Sequence, residues 1–164
     1  MLRVQRTGRD FAATVKKVRN EAREVTEDDL RAFATAAHDY LMENTPVWTG
    51  RAIANYRWSE GTEDTTSVDP IESGDPGEGR RSVNAAISTA TLERLNYTPG
   101  QRIYVTNNAS YPSGLSFEDL EYGRMPAAGR SRVPAGGLLR MAVQVGRQAM
   151  YNNRRRRARG RRAG

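Results

Sequence analysis

The sequence contains no cysteine and a single histidine. The first absence excludes a disulfide framework, a thiolate zinc site and a cysteine nucleophile. The second leaves almost nothing for imidazole-based metal or acid–base chemistry. Long apolar runs are missing too: no stretch approaches the ~20 residues of a membrane span, and the opening MLRVQRTGRD lacks the apolar core of a secretory signal. A soluble chain assembled in a cytoplasm is expected, without a membrane partner, a cofactor or a metal. A third absence is local. From Tyr151 to Gly164 there is no acid, against seven arginines: Arg154, Arg155, Arg156, Arg157, Arg159, Arg161 and Arg162.

What is present is one domain's worth of sequence, 164 residues with a net charge of +7. The arginine run accounts for all of that excess, because the nineteen basic residues outside it balance the nineteen acids of the chain. The domain is therefore placed at residues 1–150, followed by an arginine-rich tail at 151–164 that has nothing apolar to bury and is expected to be disordered. Extended, fourteen such residues reach roughly 45–50 Å.

Helical periodicity appears first in Phe11, Val15, Val18, Ala22 and Val25, and then more strongly in Leu30, Phe33, Ala34, Ala37, Tyr40 and Leu41. Thr26 with Asp29 reads as a capping box for this second helix, and Pro46 ends it near Asn44. The large side chains of Ile53, Tyr56 and Trp58 suggest a strand over 53–58. Residues 59–81 hold seven acids, four glycines and two prolines, which suggests a long mobile loop or hairpin tip. A helix is expected over 82–95, a strand over 101–107, a short helical piece over 117–122, an irregular stretch over 124–137 and a last amphipathic helix from about Gly137 to Asn152. The class is α+β, a small antiparallel sheet packed with a long N-terminal amphipathic helix and a C-terminal helix.

No catalytic constellation emerges. His38 lies at the edge of the apolar stripe, where a boundary role is expected, and the acids between Glu60 and Glu78 lack the alternation of a calcium loop. In Thr45-Pro46-Val47-Trp48-Thr49-Gly50-Arg51-Ala52, the proline stops the helix and the glycine permits a tight turn. Arg51 is expected to pair with an acid of Leu120-Glu121-Tyr122-Gly123; the alternative is a contact across subunits for Arg51 or Trp48.

Several separated pieces occur in one order: Thr45 to Ala52, Ile103-Tyr104-Val105-Thr106-Asn107, Tyr111, Leu120-Glu121-Tyr122-Gly123, and Pro134-Ala135-Gly136-Gly137 opening the last helix. Over roughly residues 26–150 this resembles the tail-completion and neck proteins of long-tailed bacteriophages, with their TPVDTGRL-like turn, IxN strand end, PYA step and LExG motif. The resemblance implies a structural virion protein at the head–tail junction. Such a protein forms a ring of six subunits, or of twelve, between the portal or connector and the tail tube, with genomic DNA passing through, and has neither catalysis nor cofactor. It also makes Thr45, Pro46, Trp48, Gly50, Arg51, Asn107, Tyr111, Glu121, Gly123 and Gly136 the structural or interface positions. The arginine tail is open to three readings: non-specific contact with DNA phosphates, contact with the acidic loop of an adjacent subunit, or a solvated end. A free nucleic-acid-binding module using that arm is the alternative to the neck role.

Overall fold

The computed structural model describes residues 26–111, 114, 117 and 137–160. The helix expected before Thr26, the short piece over 117–122, the irregular stretch up to residue 136, and Glu121, Gly123, Gly136, Arg161 and Arg162 lie outside the described residues, Phe117 excepted.

Helix α1, Glu27–Asn44, begins at Thr26, whose hydroxyl accepts the Asp29 N–H while the Asp29 carboxylate accepts the Thr26 N–H, both at 3.3 Å. This reciprocal cap satisfies two donors that would otherwise be orphaned, and the acids at Glu27, Asp28 and Asp29 suit the positive end of the helix. Ala34, Ala37 and Leu41 are fully buried on one face, as their spacing predicts. The helix stops at Thr45, which turns extended before Pro46.

The strand expected over 53–58 is displaced. Residues Arg51–Ala54 form one helical turn, α2, and strand β1 runs Tyr56–Glu60. Gly50 opens the turn at φ +84, where an added Cβ would lie 2.3 Å from Asn84 Nδ2, so only glycine fits. Ile53 is drawn inward by the turn, and its carbonyl accepts the Ser88 hydroxyl at 2.6 Å. Tyr56 and Trp58 belong to the hydrophobic core, although Arg57 between them is buried as well. Strand β2, Ile103–Asn107, pairs antiparallel with β1, Tyr56 opposite Asn107 and Glu60 opposite Ile103.

A 3-10 turn at Glu78–Arg80 leads into α3, Arg81–Leu92, which lies along the free edge of β1. There Thr91 Oγ1 accepts the Trp58 N–H at 3.1 Å, so a side chain completes the ladder on that side. The last helix, α4, runs Leu138–Gly160 and packs along α1. The two cross where Gly146 meets Phe33: a Cβ on Gly146 would stand 2.7 Å from both the Phe33 carbonyl and its ring. Helix α1 thus has α4 on one side and α3 on the other, with the sheet closing the core around Leu41, Tyr56, Trp58 and Leu138. The fold is α+β, with the small antiparallel sheet, two-stranded among the described residues, and the long N-terminal and C-terminal helices the sequence suggests.

Two expectations are corrected. The acidic segment is fastened at two points, because buried Asn55 and Asn84 hold the backbones of Val68 and Ile71. The arginine run is not a disordered tail over its described length: α4 continues through it to Gly160. Arginine has a good intrinsic helix propensity, and two of the run's guanidiniums find a buried acid that offsets their charge.

Candidate functional site

The corner after α1 collects residues that are far apart in sequence. Thr45 is buried, and its hydroxyl shares a 2.7 Å hydrogen bond with the Tyr56 hydroxyl. Asn107, at the end of β2, donates through Nδ2 to the Ala52 carbonyl at 2.8 Å and accepts the Ala109 N–H at 3.1 Å, tying the two motif segments together. Arg51 bonds Asp69 at 3.0 Å. The acid expected for Arg51, Glu121, lies outside the described residues; among these the Arg51 ion pair is with the acidic segment. Tyr111 belongs to the same neighbourhood: burial pushes its hydroxyl up to about 12, with the Arg51 charge pulling the other way. Trp48 points outward, 69% exposed, which fits a contact surface better than a core position.

Above this corner, two asparagines bind the acidic segment through its backbone. Asn55 donates to the Val68 carbonyl (2.9 Å) and accepts the Val68 N–H (2.8 Å). Asn84 does the same to Ile71, at 2.9 and 2.8 Å, and also donates to the Arg80 carbonyl. Sequence reading missed both residues. Nothing local distinguishes a buried asparagine that reads a backbone thirteen positions away from one facing solvent.

His38 is not a boundary residue. It is 3% exposed, accepts the Trp58 indole N–H at Nδ1 (3.1 Å), and lies 3.0 Å from Thr89 Oγ1 through Nε2. Since Thr89 donates to the Ala85 carbonyl, Nε2 carries the proton and the ring is neutral. Burial pushes its pKa below the usual histidine value, the charge of Asp39 opposing. Arg57 is likewise buried, with Nε and Nη2 lacking acceptors among the described residues.

The arginine run divides by direction. Asp29, already the partner of the Thr26 cap, is fully buried and also receives Asn153 (3.0 Å), Arg154 (3.1 Å) and Arg157, while Arg157 reaches the Thr26 hydroxyl at 2.6 Å. Burial alone would raise the Asp29 pKa. The hydrogen bonds from Asn153, Thr26 and Arg154, with the Arg157 charge, outweigh it and hold the carboxyl below its ordinary range. Arg155, Arg156 and Arg159 remain exposed, and α4 adds two more outward arginines, Arg140 and Arg147, that the sequence reading had left out.

Among the described residues no group of three or more histidines and acids is placed to hold a metal ion, and no helix is long and apolar enough to cross a membrane. No family model, no characterised protein and no solved structure matches this chain.

Proposed function

We propose that the chain is a structural subunit of the bacteriophage head–tail junction, a tail-completion, tail-terminator or neck protein. It acts by assembling into a ring around the DNA channel and bridging the tail to the portal or connector, in the virion, after assembly in the host cytoplasm. Its work is binding, without catalysis or cofactor. The observation that carries this reading is the convergence of Thr45, Gly50, Arg51, Asn107 and Tyr111 at one corner. These belong to three of the pieces on which the sequence resemblance rests, and a common location is what a shared architecture requires of them. Trp48, exposed beside that corner, supplies the kind of aromatic anchor that dominates subunit contacts.

Electron microscopy of the purified protein, and of phage particles carrying it, tests the proposal. Closed rings on isolated tails or connectors are expected. A protein that stays monomeric in solution and leaves no density at the junction of intact particles would exclude it.

A further inference from the structure

Helix α4 carries no acid along its described length. Arg140, Gln144, Arg147, Tyr151, Arg155 and Arg159 follow one another at steps of three or four residues, which keeps them on one side of the helix, and all six are exposed. Arg155 sits over the Tyr151 ring at 5.7 Å, and Gln148 bonds Asn152 at 3.0 Å, so the polar groups of this face are partly ordered. From Arg140 to Arg159 the row extends roughly 28 Å at ~1.5 Å per residue. The side of the helix toward α1 is occupied: Leu138, Ala142 and Gly146 are buried there, and Arg157 and the flanking Arg154 are bound to Asp29.

We infer that this outward row is a binding face for the phosphate backbone of duplex DNA. Three features select a polyanion over a protein partner. The only large apolar group on the row is Tyr151, whereas a protein interface needs an apolar centre and is depleted of charge there. Arginine, glutamine and tyrosine are all phosphate-contacting types, and a row of them without an acid neutralises charge without reading bases. Moreover, roughly 28 Å of duplex presents about 16 phosphates, so a straight row meets acceptors along its whole length in any sequence register. The Asp29 anchor matters here because it turns what composition reads as a flexible arm into a fixed rail. The inference deepens the junction proposal by naming the surface that meets DNA.

The test is fluorescence anisotropy of a labelled mixed-sequence duplex of about 25 base pairs with the full chain, across a salt series. Four outward arginines, each neutralising one phosphate, give a slope of log K against log salt of about −3 to −4. The Arg140→Gln/Arg147→Gln variant, altered far from Asp29, is expected to lose about 2 from that slope and to bind at least about tenfold more weakly at low salt, with an unchanged circular dichroism melt. No binding at low salt, an unaltered slope in the variant, or competition by polyglutamate as strong as by unlabelled duplex would overturn the inference. So would a variant that loses its rings and keeps its affinity, since the row would then be a subunit contact. Rings without duplex binding would sink this inference alone; duplex binding by a protein that never forms rings would sink the junction proposal alone.

Discussion

Asn84 holds Ile71 as one strand residue holds another, its carboxamide oxygen accepting the Ile71 N–H and its amide donating to the Ile71 carbonyl, at 2.8 and 2.9 Å. One fully buried side chain thereby stands in for a rung of sheet. The Asn84→Asp change keeps the acceptor and sets a carboxylate against the carbonyls of Ile71 and Arg80. A loss of about 2–4 kcal/mol is expected, together with faster hydrogen exchange at Ile71 and new proteolytic cutting within residues 61–77. Denaturant melts and limited proteolysis read both effects.

Gly146 is expected to tolerate no side chain. With the Phe33 carbonyl at 2.7 Å from an added Cβ, Gly146→Ala has to push α1 and α4 apart, and backbone yields less readily than a side-chain tip. The better helix propensity of alanine, worth ~1 kcal/mol, works in the opposite direction. Overpacking of this kind costs about 1–3 kcal/mol, so a net destabilisation in urea is predicted, and a variant more stable than the parent would refute the close crossing.

Asp29 couples stability to acid. Its carboxyl titrates below the ordinary range in the folded chain, so its contribution is complete above the unfolded value of about 3.9 and disappears as the pH falls through the folded one. In Asp29→Asn that acid-dependent share is absent, the cap weakens, and Arg154 and Arg157 lose their counter-charge. About 2–3 kcal/mol should be lost at neutral pH, with a flatter profile between about pH 5 and pH 2. Melting temperatures of the two proteins across that range decide it.

His38 acts at milder pH and in the same direction. Because the folded ring resists protonation, the unfolded chain binds more protons once the pH drops below about 6.5, and stability declines from there toward the lowered folded value. Thermal melts from pH 8 to pH 5 should show this decline, and a His38→Gln variant should not. Proton chemical shifts of the ring would locate the titration directly, and an ordinary midpoint would contradict the burial of the Trp58–His38–Thr89 chain.

What could be read in advance follows the range of each interaction. The start and end of α1 were legible because Thr26, Asp29 and Pro46 act on their immediate neighbours. The start of β1 was not: Ile53 is turned inward by Gly50, and Gly50 is confined by Asn84, thirty-four positions on. Composition described the acidic segment correctly as rich in acids, glycine and proline but could not register that its backbone is gripped from elsewhere. The arginine run misled for a related reason. Its acid, Asp29, lies 125 positions from Arg154 and had already been assigned to a cap. At the corner, the motif order was visible, yet it gave no sign of the Arg51–Asp69 ion pair, because Asp69 is an exposed acid in a segment the motifs do not include.

The long separation between Asp29 and its arginines also sets a schedule. Synthesis proceeds from the N-terminus, so the apolar stripe of α1 is made early, while the helix that covers it and the guanidiniums that lock its first turn come out more than a hundred residues later. Until then Leu30 and Phe33 have no cover from α4. A nascent chain stalled before α4 should therefore be a substrate for chaperones, and completing α4 converts that sticky intermediate into a closed particle whose basic rail becomes straight at the same moment.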